Sequence, residues 1–118
     1  MRTDAGRDRA AVLELLTRAE RILSIASGLD EEGFLADVVK QDAVIRNFEV
    51  MGEAAKRISE ATRTTAAAIP WTTLARFRDL LIHGYDIVSP RQVWRTIQDD
   101  LPSLVDELRK LAKDHGWR

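Results

Sequence analysis

The chain has no cysteine, and its 118 residues include only three prolines, one tyrosine and two histidines. Without cysteine there is no disulfide framework, no thiolate metal site and no thiol nucleophile. No apolar run approaches the roughly 20 residues that span a bilayer. The opening stretch MRTDAGRDRA has no apolar core of the kind a signal peptide carries. A soluble, cytoplasmic protein without membrane contact is the simplest expectation. Net charge is scarce too: 18 basic and 19 acidic side chains leave −1, so the chain as a whole is no basic glove for nucleic acid. At this length a single domain over residues 1–118 buries roughly two-thirds of its unfolded surface. No internal repeat or low-complexity tract divides it.

The near-neutral total hides an uneven distribution. Residues 1–55 hold 7 basic and 11 acidic side chains, whereas residues 56–97 hold 7 basic and 3 acidic ones. The basic members of the second group are Lys56, Arg57, Arg63, Arg76, Arg78, Arg91 and Arg95. Such asymmetry either marks a face that meets a polyanion or is ordinary solvation.

Helical periodicity runs through every long segment and nothing reads as a strand. Val12, Leu16, Ala19, Leu23 and Ala26 form a seam at spacings of four and three, and Gly28 offers a left-handed stop. Asp30 suits a helix cap, with Leu29 and Phe34 spaced as a hydrophobic staple. From there the pattern predicts one long helix to about Ser59, with Val44, Phe48, Met51, Ala55 and Ile58 as its apolar stripe. Gly52 near its middle lowers helix stability, which points to a close helix–helix approach there, within the chain or across a dimer. A Thr/Ala-rich loop leads to Pro70, which suits the first position of a third helix. Leu74, Phe77 and Leu81 face the core, and Gly84 ends that helix after His83. The stretch SPRQ predicts a capping box on Ser89 and Gln92 with Pro90 at the first position. Pro102 then kinks the helix or restarts it. The expectation is an all-α, up-and-down bundle of four long helices, or five if the break at Pro102 is complete.

The residues with the most chemistry stand in RDLLIHGY, Arg78 to Tyr85. On a helix Asp79 and His83 are i,i+4 neighbours that can touch, and a carboxylate there would orient the ring. Arg78 offers a fork of donors matched to phosphate oxygens. Each has a plainer reading as well. A histidine at a helix C-terminus complements the dipole, Arg78 and Asp79 can be solvated surface, and Tyr85 can bury its ring. His83 and His115 lack H-E-x-x-H or similar spacing, so no protein-held metal and no cofactor is expected. No Gly-rich phosphate loop or G-x-S-x-G elbow occurs. Asp42, Arg46, Glu49 and Glu53 share a polar face that is either solvated or lines a cleft. Trp71 and Trp94 read as core anchors.

RDLLIHGY resembles the R-x4–6-H motif of HEPN-domain proteins, in the R-x4-H-x-Y form of HepT-like toxins. The blocks QDAVIRNFEVMGEAAKRIS (41–59), IPW (69–71), VW (93–94) and DLPSL (100–104) resemble the family's pattern in the same order. The resemblance implies a HEPN-like helical homodimer and a metal-independent ribonuclease toxin, paired with a minimal nucleotidyltransferase antitoxin. Its substrate would be RNA, either tRNA or mRNA, bound in a cleft between two copies. It implies His83 as general acid/base, Arg78 as the group that stabilises phosphate charge, and Asp79 as their orienting carboxylate. Tyr85 matches the tyrosine that the antitoxin modifies with AMP. Independently, transesterification by a 2′-hydroxyl calls for one base and one acid, and two copies of His83 facing one cleft supply both. The alternative expectation is a non-catalytic HEPN module that binds a nucleotide or partners a nucleotidyltransferase.

Overall fold

The computed structural model describes residues 3–84 and 86–117, so the expectations placed on Tyr85 lie outside the described residues. Among the described residues the chain forms seven α-helices and no strand.

Helix α1 (Asp4–Ala26) starts at Thr3, whose hydroxyl accepts the Gly6 amide at 3.0 Å. Val12, Leu16, Ala19 and Ala26 of the expected seam are buried. Leu15 and Ile22 are buried as well, while Leu23 is only partly so. The apolar stripe is therefore broader than a two-position seam, as befits a helix with neighbours on two sides. Each Leu or Ile fully removed from water here contributes about 1.5–3 kcal/mol. Gly28, at φ +79°, makes the left-handed turn at the end of the helix.

The long helix expected over 30–59 is interrupted. Asp30 caps a short α2 (Glu31–Leu35), and Asp37 caps a separate α3 (Val38–Lys56) by accepting the Lys40 amide at 3.0 Å. Gln41 is the physical reason that the break is stable. Its buried side-chain amide donates to the Phe34 carbonyl at 2.9 Å and the Leu35 carbonyl at 3.1 Å. The Leu35 carbonyl is thereby satisfied without a continuing helix, and the Phe34 carbonyl, which also accepts the Asp37 amide at 3.2 Å, gains a second donor. The region expected as a loop after Ser59 contains another short helix, α4 (Glu60–Thr65). Buried Asp8 holds its start, accepting the Ser59 amide at 2.8 Å, the Ser59 hydroxyl at 2.5 Å and the Thr62 hydroxyl at 2.6 Å.

Helix α5 (Trp71–His83) begins one residue later than expected, with Pro70 at its cap, and its Trp71 indole N–H donates to the Ala66 carbonyl at 3.2 Å. It ends on Gly84, whose amide donates to the Leu80 carbonyl at 2.8 Å. Helix α6 (Pro90–Asp99) carries the expected capping box of Ser89 and Gln92. Pro102 falls in the first turn of α7 (Leu101–Asp114), where a missing N–H is harmless, so the break is complete. The chain thus has five long helices, in line with the upper expectation, plus two short ones.

Helix α1 lies between α3 and α7, and α5 packs on the far side of α3. Helix α2 joins α6 to this core, with the rings of Phe34 and Trp94 5.3 Å apart. Trp71 and Trp94 are buried, as core anchors should be. Among the described residues no helix is long and apolar enough to cross a membrane.

Candidate active site

The packing of α5 on α3 sets the geometry of the candidate site. A Cβ built on Gly52 would lie 2.1 Å from the Cβ of Arg78 and 2.7 Å from the Leu74 carbonyl oxygen. Only glycine lets the two backbones approach this closely, so the close approach foreseen at Gly52 is made within the chain. It brings Glu53 and Lys56 of α3 against the residues of α5 that carry the motif.

Arg78 is mostly covered, its side chain 24% exposed. Its Nε stands 3.3 Å from Glu53 Oε2, and its NH1 donates to Asp79 Oδ1 at 3.0 Å. Lys56 Nζ donates to the same Asp79 oxygen at 2.8 Å. These hydrogen bonds, from Lys56 first and then Arg78, hold the Asp79 carboxyl below the usual carboxylate value, so it stays ionised. His83 is the exposed last residue of α5. Among the described residues it has neither a hydrogen bond nor an ion pair, and the i,i+4 contact with Asp79 is not made. The reason is electrostatic: two full positive charges, one from the neighbouring helix, draw the carboxylate away from a ring one turn on.

Helix geometry separates Arg78 and His83. Five residues correspond to about 7.5 Å along the axis and about 140° around it. Within one chain they project from different sides of α5. Around His83 the surface is apolar, with Leu80 45%, Ile82 36% and Ile87 71% exposed. The polar face foreseen on α3 does line depressions here. Arg46, Glu49 and Glu53 border a small one of about 140 Å³ with Arg78 and Ile82. Asp42 and Glu49 border a second with Ile82 and Val88.

Of the seven basic residues at 56–97, four are engaged by other groups of the chain. Lys56 and Arg78 are paired as described, Arg91 faces Glu31 at 3.3 Å, and Arg63 donates to the Ile58 and Ala55 carbonyls. Among the described residues, Arg57, Arg76 and Arg95 have no such partner. Lys56 lies outside the motif and was not expected at the site. Its position one turn after Gly52 was the available signal.

The comparisons with known proteins bear on this geometry. The family model described as "Ribonuclease HepT-like" matches residues 15–111. The chain belongs to the HepT-like ribonuclease family. A "Probable ribonuclease HepT" of Thermococcus cleftensis is 40% identical over 106 residues, covering 90% of this chain and 91% of that protein. A protein of Methanocaldococcus jannaschii named as a candidate RNase is 32% identical over 106 residues, covering 90% of this chain and 88% of its own. Another so named, from Caldanaerobacter subterraneus, is 32% identical over 99 residues, 84% of this chain and 88% of its own. No solved structure matches.

The HepT-like match contains Gly52, Glu53, Lys56, Arg78, Asp79 and His83. It leaves out the other histidine. His115 stands just past α7, its Nδ1 3.1 Å from the Leu111 carbonyl and its ring stacked on Trp117 at 4.4 Å. Of the two imidazoles in this HepT-like chain, only His83 combines the family region with an unengaged ring.

Proposed function

We propose that this chain is a ribonuclease toxin that cuts RNA without a metal ion, in a cleft formed by two copies of itself. The carrying observation is His83, exposed and unengaged at the end of α5, with exposed Leu80, Ile82 and Ile87 within four residues of it in the chain. An apolar rim of this kind suits burial against a second copy. The angular separation of Arg78 and His83 on one helix supports the same arrangement, because residues from two chains can converge where those of one diverge.

In this reading His83 of one copy takes the proton from a ribose 2′-hydroxyl as that oxygen attacks the adjacent phosphorus. The bond from phosphorus to the 5′-oxygen breaks, and that oxygen leaves with a proton from His83 of the second copy. The products are a 2′,3′-cyclic phosphate and a free 5′-hydroxyl. Arg78 stabilises the charge that builds on the phosphate oxygens. Glu53 and Asp79 each engage one of its donors, which fixes the guanidinium and leaves its remaining N–H groups for substrate. Asp79 acts in this site by orienting Arg78. The partner is a cognate nucleotidyltransferase that silences the toxin by attaching AMP to Tyr85, adding negative phosphate charge to a site that must bind an RNA phosphate.

The test uses chain purified without its partner, a labelled tRNA pool or mRNA, and EDTA, with His83→Ala alongside. Cleavage by the wild type alone, ending in cyclic phosphates, is the expected result. No cleavage of either RNA by a folded, unmodified dimer would overturn the reading and favour a nucleotide-binding or interaction module.

A further inference from the structure

Helix α5 packs on α3 and scarcely touches α7, so a groove of about 440 Å³ opens on the flank of α5 away from Arg78. That volume is within the roughly 300–1,000 Å³ typical of sites that bury a ligand. Its floor is apolar: Phe48, Leu74, Leu101 and Leu104, with Phe77 set edge-on to Phe48 at 5.2 Å. Its rim carries Asp99, Asp100 and Glu107. Among the described residues none of these three carboxylates has a hydrogen-bond or ion-pair partner.

The position of Asp99 adds a second, independent argument. It is the last residue of α6, and no basic residue occupies that last turn. Negative charge at a helix C-terminus opposes the macrodipole. Asp100 alone would be explained by the start of α7, although its side chain makes no capping hydrogen bond. Two adjacent acids at this junction and Glu107 put three carboxylates and no cation among the residues that line the apolar slot, the cations one helical turn from Asp99 and Glu107 being Arg95 and Lys110.

We propose that this groove is a docking site for a cationic amphipathic helix of a partner protein, whose apolar i, i+4 residues fill the slot while its Lys or Arg residues meet the rim. A second copy of this chain fits the charge poorly. Of its exposed large apolar residues Val38, Val39, Leu80, Ile82 and Ile87, three directly follow an acid (Asp37, Asp79 and Asp86), and only Val39 adjoins a lysine or arginine. The groove starts at the N-terminal end of α5. Phe77, its lining residue nearest His83 on α5, is six residues before it, about 9 Å along the axis, and His83 is not among the lining residues. The proposal does not depend on the chain cutting RNA.

The test titrates isotope-labelled full-length chain with a synthetic 18-residue Leu/Lys amphipathic peptide, using its Leu/Glu counterpart as a control. Amide shifts confined to residues 68–77, 96–107 and the neighbourhood of Phe48 are expected with the Leu/Lys peptide only. Binding should weaken about tenfold or more in the combined variant Asp99→Asn, Asp100→Asn, Glu107→Gln. Ser103→Arg, a change at an exposed rim position, should block binding without disturbing the core. Shifts elsewhere on the surface, equal binding of the Leu/Glu peptide, or undiminished binding in the variants would overturn the proposal. So would a wild-type dimer that Ser103→Arg dissociates, since the groove would then be an interface between copies.

Discussion

A side chain on Gly52 and the side chain of Arg78 cannot coexist, because the Cβ atoms would be 2.1 Å apart with the Leu74 carbonyl oxygen 2.7 Å away. The arginine of the motif is therefore set by a residue 26 positions earlier that contributes no side chain at all. The same approach places Lys56 and Glu53 within ion-pair distance of Asp79 and Arg78.

Gly52→Ala should accordingly destabilise the protein, although alanine alone favours helix by about 1 kcal/mol. Overpacking against a backbone oxygen outweighs that gain, and a net loss of about 2 kcal/mol is expected. The urea midpoint measures it, and cleavage should fall in parallel as α5 is pushed off α3. A raised midpoint would show that the helices part without penalty.

Arg78→Lys keeps the charge and discards the fork. Lysine can meet Glu53 or a phosphate but not hold both in a planar array. Single-turnover cleavage should fall about 10²-fold, with the thermal midpoint little changed because the ion pairs are solvent-accessible. Wild-type rates in this variant would mean that Arg78 acts only as a point charge.

Asp8 ties α1 to the start of α4. Burial pushes its carboxyl up, but hydrogen bonds from Ser59 and Thr62 outweigh that and hold it below the ordinary 3.8. The folded state thus binds the proton less readily than the unfolded chain. The associated stability is fully present above about pH 5 and drains away as pH falls through 3.8 toward the folded value. Asp8→Asn should cost about 1–3 kcal/mol at pH 7, since an amide group cannot accept from all three donors. The gap between variant and wild type should narrow below pH 4 in denaturant titrations. A constant gap across that range would rule out the carboxylate as its source.

Tyr85→Phe tests the silencing proposal. The variant should cleave RNA within a few-fold of wild type and stay active after incubation with the partner nucleotidyltransferase and ATP. Intact mass should show added AMP on the wild type alone. Silencing of the variant, or AMP found on it, would move the modified residue elsewhere.

Much of the fold is local and was readable as such. The helical class, the stop at Gly84, the capping box on Ser89 and Gln92, and a kink or restart at Pro102 each depend on residues within four positions of one another. The break before α3 was not readable in that way. Ala36 and Asp37 carry no strong stop signal, and the periodicity runs straight through them. The break is stabilised by Gln41, whose side chain reaches back six and seven residues to carbonyls that a continuing helix would have bonded to its own amides. Likewise α4 begins at Ser59 because Asp8, about 50 positions earlier, is buried against it.

The candidate site divides along the same line. By itself the sequence determined the letters of the motif, the helix that carries them and the end of that helix at His83, because propensity, capping and side-chain chemistry are properties of neighbouring residues. Tertiary structure decided where the Asp79 carboxylate turns. Within α5 alone Arg78 and His83 are both in its reach. In the folded chain Lys56, 23 residues away on α3, reaches it at 2.8 Å, and a full charge delivered by packing prevails over an imidazole delivered by helical spacing. That choice depends on how closely α3 and α5 approach, which no local pattern encodes.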